Sequence, residues 1–236
     1  YPAYLALLLN IDQELLVDFK CLMENKNNTN CSIDLSNLAL AQCLFVIITL
    51  WCIWLIALNI FNSYIIAWLS ALIAILMGEL LHYANLILTE TMTITLFSLF
   101  SLFFINAIKS KKLIWFTLGS ISLGILTLTR PQFHYLFIIL ALTLFFLFII
   151  YKNKYLFNGL IISTIVYFSI VGPWMARNYY HFNDTALTSG YGDRVLATRI
   201  SYNQMSWQEW GVAFIYWLPD FGDSLAKRLF PEKLYE

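Results

Sequence analysis

The sequence predicts an all-α integral membrane protein, a polytopic bundle of about six transmembrane helices with shorter helices lying in the outer interface. Three observations predict it. Of 236 residues, 60% are hydrophobic and 12% charged, with a mean hydropathy of +0.71, whereas a soluble domain carries about 25% charged residues. Apolar runs of transmembrane length, about 20 residues, recur along the chain with only short polar breaks. Two of those breaks hold a concentration of lysine. The formal net charge is zero, and no basic block interleaved with aromatics is present, which argues against a nucleic-acid partner.

Taken in order, residues 1–37 form an outer segment: an apolar stretch too short to span, then a polar, Asn-rich loop expected to carry an interfacial helix. Residues 38–174 hold the membrane domain, with apolar runs at 38–60, 64–87, 91–108, 113–129, 133–151 and 156–174, each long enough to cross directly or with modest tilt. Residues 175–236 are mixed. Their aromatic patch of Trp207, Trp210 and Trp217 with Phe214 and Tyr216 suits a helix in the headgroup region. The chain opens on Tyr1-Pro2-Ala3-Tyr4 with no signal peptide before an outer segment, so at least one further membrane helix is expected ahead of residue 1. Cys43 and Cys52 lie inside an apolar run, whereas Cys21 and Cys31 flank residues 25–30; they are either two unpaired thiols or, in an oxidising outer compartment, a bridge.

Orientation follows from lysine, because short cytoplasmic loops carry the Lys/Arg excess. Lys109, Lys111 and Lys112 separate the third and fourth runs, and Lys152 and Lys154 the fifth and sixth, so those loops are expected inside and both ends of the chain outside. The outer ends then hold Glu79, His82, Glu90, Arg130, His134, Trp174 and Arg177, with no lysine among them.

A charge in a membrane helix costs roughly 2.5–3.5 kcal/mol at its centre, so a cluster of acids, arginines and histidines at one end asks for a reason. Each member also has a plain structural reading. Thr89 and Glu90 are suited to start a helix; Arg130 before Pro131 to end one; Arg177 to snorkel; Glu79 and His82, at i and i+3, to satisfy each other; His134 to bond within the bundle; Trp174 to anchor at the interface.

Read in order, Tyr1-Pro2-Ala3-Tyr4-Leu5, Leu88-Thr89-Glu90-Thr91, a glycine-bearing run with Gly119 and Gly124 that ends Leu128-Thr129-Arg130-Pro131, Gly172-Pro173-Trp174-Met175-Ala176-Arg177-Asn178 and Thr188-Ser189-Gly190 resemble the bacterial GT-C membrane glycosyltransferases related to dolichyl-phosphate-mannose protein mannosyltransferases. The resemblance covers nearly all of residues 1–192. It implies an enzyme of the bacterial inner membrane that transfers a sugar from a polyprenyl-phosphate donor to a lipid, glycan or protein acceptor, at a site facing outside. It further implies a carboxylate base, usually Asp, in a first outer loop whose beginning would precede Tyr1; Asp12, Asp18 and Asp34 do not match that position. The matching residues here are Glu90, expected to orient a ligand or assist the base, and Arg130, Arg177, Trp174 and Asn178, expected to bind substrate; His134, outside those segments at the start of the fifth run, is also expected to bind it. Arginine suits this chemistry because its planar fork matches the oxygens of a departing phosphate.

Glu79, Glu90, His82 and His134 offer metal donors, but at no known metal spacing, so no metal or other cofactor is required. Two other functions fit a polytopic protein. A secondary transporter would place ionisable groups near the midplane and show half-repeats. A noncatalytic or polymerase-like subunit of surface polysaccharide assembly would use its outer face to bind polymer.

Overall fold

A computed structural model describes residues 2–11, 16–17, 36–84, 89–187, 191–216 and 222–230. Its elements are helical throughout: α1 (Pro2–Ile11), α2 (Ser36–Phe61), α3 (Tyr64–Leu76), α4 (Glu79–Ala84), α5 (Glu90–Ser110), α6 (Leu113–Thr129), a 3-10 turn (Pro131–Phe133), α7 (His134–Tyr151), α8 (Lys154–Phe182), α9 (Tyr191–Asn203), α10 (Trp207–Tyr216) and α11 (Gly222–Leu229). Four helical stretches are long and apolar enough to cross a membrane, Ser36–Phe61, Glu90–Ser110, Pro131–Tyr151 and Lys154–Phe182. The apolar helices α3 and α6 are shorter, at 13 and 17 residues. Cys21, Cys31, Trp217 and residues 188–190 lie outside the described residues.

Three hairpins share one backbone solution. Asn62, Lys111 and Lys152 each close the preceding helix in the left-handed region (φ 51°, 51° and 47°), and their N–H groups return to Leu58, Ala107 and Phe148 carbonyls at 2.9, 3.2 and 2.7 Å. The next residue, Ser63, Lys112 or Asn153, is extended and starts a new helix. Asn153 caps with its side chain, accepting from the Tyr155 N–H at 3.0 Å. A two-residue reversal makes the flanking helices antiparallel neighbours. The run 64–87, expected as one helix, is broken. Helix α3 stops at Leu76, Gly78 turns with φ +73°, and the Gly78 carbonyl accepts from Leu81 and His82 to begin α4. A positive φ costs glycine little and other residues more.

The helices pack in the order α3, α2, α5, α6, α8, α7. Helix α6 is central: Phe116, Leu123 and Leu126 are almost wholly buried, against Phe137, Leu140 and Leu144 of α7 and Tyr167 and Val171 of α8. Small residues bring α6 and α8 together. A Cβ on Gly159 would lie 2.5 Å from the Phe116 ring, and one on Gly124 3.1 Å from Ile170, the close approach that packs helices where burial from water supplies no drive. The outer surface is apolar instead of polar: Ile65, Leu76, Ile139 and Ile150 are 60–74% exposed. An apolar exterior of this extent suits lipid as solvent.

Between α2 and α5 runs a ladder of polar side chains. Thr91 donates to Gln42 at 3.3 Å, Thr49 and Thr95 share a 2.9 Å bond, and Asn59 donates to Asn106 at 3.3 Å. Gln42, Thr49, Thr91 and Thr95 are no more than 2% exposed, and Thr49 and Thr95 add bonds to carbonyls of their own helices, Phe45 and Thr91, at 2.8 Å. Helix α8 was expected to end near 174 but continues to Phe182 through Pro173; the missing N–H removes one helical bond without stopping the helix.

Beyond the bundle, α10 packs on α11 through buried Val212 and Ala226, while Trp207 and Phe214 stay 93% and 71% exposed. The aromatic helix expected from the sequence is therefore present, with its rings outward. Its start is a capping box: the Ser206 N–H donates to Glu209 Oε2 at 2.6 Å, and the Glu209 N–H donates to Ser206 Oγ at 3.3 Å, which holds the Glu209 carboxyl below the usual carboxylate value.

Candidate functional site

The hairpins sort the charged residues by end. Turns 62–63, 111–112 and 152–153 lie together: Lys109 Nζ donates to the Asn59 carbonyl, and Tyr155 OH donates to the Ala107 carbonyl at 2.6 Å. All five lysines of the two basic turns are at this end. Glu90, Arg130 and His134 begin or end their helices at the opposite one.

There the C-terminus of α6 meets the N-terminus of α5. Arg130 leaves α6 in extended conformation, its N–H still bonded to Leu126, and Pro131 starts the 3-10 turn that leads into α7. Its guanidinium reaches across to α5. Nε donates to Thr89 Oγ1 at 3.1 Å, and Nη2 forms an ion pair with Glu90 Oε1. Both side chains are partly exposed, Arg130 at 33% and Glu90 at 26%. Arg130 Nη1 has no partner among the described residues. Glu90 Oε2 is buried and also has none among them, a costly state for a carboxylate oxygen unless a ligand donor completes it. Thr89 precedes α5 without capping it through its side chain. Thr89 and Glu90 start the helix as expected, with the Thr89 hydroxyl turned to Arg130 instead of to a backbone N–H.

His134, the first residue of α7, bonds through Nδ1 to Tyr167 OH at 2.8 Å. Tyr167 is fully buried on α8, stacked on Phe137 with centroids 3.9 Å apart, and its hydroxyl donates to Thr127 Oγ1 at 3.3 Å. Thr127 donates to the Leu123 carbonyl at 2.9 Å. This links the end of α6 and the start of α7 to the middle of α8.

Arg177 belongs to a second cluster. Helices α6 and α8 run parallel, with Phe116 beside Gly159, Gly124 beside Ile170 and Thr127 beside Tyr167, and among the described residues no bond joins Arg177 to Arg130, Glu90 or Thr89. Its guanidinium covers the Trp174 ring, 4.8 Å from the centroid, and Nη1 donates to Asn178 Oδ1 at 3.2 Å. Buried Asn178 fastens the chain that returns after α8, donating to Ala186 at 2.8 Å, and Trp174 Nε1 donates to Leu187 at 3.2 Å. Asn178 and Trp174 therefore hold a turn together, with Arg177 exposed above it. No acid pairs with Arg177 among the described residues.

His82 lies edge-on to the neighbouring Tyr83 ring in α4. Among the described residues no three His, Cys, Asp or Glu side chains converge on a metal position. An open groove of about 690 Å³ lies at the lysine end, lined by Phe148, Ile149, Lys152, Lys154, Phe157 and Asn158, away from the interlocked charges. The residues that sequence reasoning overlooked here are Thr127 and Tyr167. A phenol in an otherwise apolar run was the available signal, since a buried hydroxyl must find a partner. Compared with protein-family models, curated proteins and solved structures, the chain matches none.

Proposed function

We propose that the chain is a GT-C-type membrane glycosyltransferase that moves a sugar from a polyprenyl-phosphate donor to a lipid, glycan or protein acceptor on the outer face of a bacterial inner membrane. In this reading α2, α3, α5, α6, α7 and α8 make six crossings, the lysine turns face the cytoplasm, and both ends of the chain lie outside. The observation that carries it is Arg130, held across two helices by Thr89 and Glu90 at the end away from the lysines. The ordered resemblance of the segments around these residues supports the same assignment.

Transfer breaks the bond between the anomeric carbon and the donor phosphate oxygen, and the acceptor hydroxyl oxygen forms the new one as its proton passes to the carboxylate base that the resemblance implies. Electrons pass to the leaving phosphate, so cations are needed where that charge grows. Arg130, oriented in advance and with Nη1 open, supplies a fork there; Arg177, backed by the Trp174 face, supplies a second cation at the rim. Glu90 keeps one oxygen on Arg130 and offers the other to a ligand donor. No metal is required. Membranes offered several radiolabelled polyprenyl-phosphate sugars test this reading, with product expected from at least one donor and lost in Arg130→Ala.

A secondary transporter is the second reading, favoured by the buried Gln42, Thr49, Thr91 and Thr95 within the span of α2 and α5. Solute counterflow in sealed vesicles, with no sugar transferred from any donor, would select it over the first.

A further inference from the structure

The hydrogen bonds around Tyr167 form a chain whose direction points to the nitrogen of His134 that carries the proton. Thr127 has one hydroxyl hydrogen, committed to the Leu123 carbonyl four residues back. Its oxygen can therefore only accept from Tyr167, which spends the single phenolic hydrogen on it. The Tyr167 oxygen, 2.8 Å from His134 Nδ1, must then accept. His134 Nδ1 is the donor, and in the neutral ring Nε2 carries a lone pair. No partner reaches Nε2 among the described residues.

We propose that His134 Nε2 is a hydrogen-bond acceptor for a hydroxyl of the bound substrate, and that Tyr167 and Thr127 are positioning residues that fix it in that role. This rests on the glycosyltransferase reading and deepens it by dividing the site between the two substrates. Arg130 is a pure donor and takes phosphate oxygens; neutral His134 presents an acceptor, which a phosphate oxygen cannot satisfy and a sugar or acceptor hydroxyl can. The hydroxyl stands at the start of α7 and the phosphate at the end of α6, four residues apart across the 3-10 turn. Without this chain of bonds a histidine favours the opposite tautomer, with the proton on Nε2, and would compete with Arg130 for phosphate.

The test is nitrogen NMR of the protein in lipid nanodiscs, labelled with ¹⁵N-histidine, in a His82→Gln, His181→Gln background that leaves His134 as the one reporter. Above about pH 8, where imidazole is neutral, His134 is expected as the Nδ1–H tautomer alone. Tyr167→Phe removes the acceptor, and Thr127→Val frees the phenol to donate to Nδ1; either variant is expected to convert His134 mainly to the Nε2–H tautomer. Two variants keep the test open if one does not fold. A wild-type Nε2–H tautomer, or an unchanged tautomer in the folded variants, overturns the inference. So does conversion of His134 to imidazolium on addition of farnesyl phosphate at that pH. An Nδ1–H tautomer in a protein that transfers no sugar retains the bonding chain and sinks the enzymatic reading; active transfer with an Nε2–H tautomer does the reverse.

Discussion

The two ends of the bundle carry similar numbers of charged side chains and use them differently. At the lysine end the charges sit in turns, exposed, and their contact with the helices is the Lys109 bond to a backbone carbonyl. Order there comes from packing and backbone: the left-handed closures, Phe116 wedged over Gly159, and Tyr155 bonded to Ala107. At the other end the charges are themselves the joints. Arg130 ties α6 to α5, and His134 with Tyr167 and Thr127 ties α7 to α8 and α6. A lysine turn needs only a topology to explain it, whereas an arginine fixed by two partners with one nitrogen left open has been oriented for something else.

The sharpest way to break the contrast is to exchange charges at each end and measure transfer per folded molecule. Arg130→Ala is expected to lose about 2.7–4 kcal/mol of transition-state stabilisation, roughly a hundred- to a thousandfold in turnover. Arg130→Lys keeps the charge without the fork and should also be strongly impaired, Glu90→Gln less so, and Lys111→Gln not at all. Near-normal turnover in both Arg130 variants and Glu90→Gln would remove this group from the site.

Sidedness comes next. In a cysteine-free background, Ser110→Cys and Asn153→Cys at the lysine end should stay unlabelled by an impermeant maleimide in intact cells, while Gln132→Cys and Ser224→Cys are labelled nearly to completion. The reverse pattern would invert the orientation.

A third experiment asks what holds the lysine end together. Gly159→Ala forces a methyl into the Phe116 ring and should cost about 1–3 kcal/mol of stability, as overpacking does, whereas Lys112→Gln should fall within about 0.5 kcal/mol of wild type. Thermal unfolding in one detergent compares them, and equal midpoints would show that the close approach of α6 and α8 is not limiting.

The smallest effect lies outside the bundle. Glu209 has a lowered folded-state pKa, caused first by the Ser206 backbone N–H and then by its hydroxyl. Its contribution is therefore present above the ordinary 4.5 and is lost as pH falls below that through the lower folded value. Amide protection factors at the start of α10 should drop on acidification across that window, and the drop should vanish in Glu209→Gln.

Much of the fold was legible in the sequence because hydropathy reports solvent and the lysines mark turns between apolar runs. The runs at 38–60, 91–108 and 133–151 differ from their helices only by end residues, and the basic turns fall where the lysines stand. What local pattern does not encode is partnership. Nothing near Thr89 says that its hydroxyl receives Arg130 from 41 residues away, and Gln42 among leucines reads as a cost until Thr91 faces it. The break at Gly78 was hidden for another reason: the side chains on both sides are apolar, so hydropathy stays high while the backbone turns. The run ending at 174 erred in the opposite sense, since the polar residues after it lower the hydropathy while the helix continues through Pro173 to Phe182. Within the candidate site, Glu90, Arg130 and His134 were found by charge, and Tyr167 and Thr127 were passed over because in an apolar run they resemble core.

The ladder between α2 and α5 also imposes a timetable. Thr49 and Thr95 are 46 residues apart, and at synthesis rates of about 5–20 residues per second α2 waits roughly 2–9 s for the helix that completes it. Thr49 has a temporary acceptor in its own Phe45 carbonyl, 2.8 Å away. Gln42 needs the later helix for its bond to Thr91. During that interval α3 and α4 emerge, and whatever holds the newborn α2 must keep its polar edge from lipid while leaving it open to a helix not yet made.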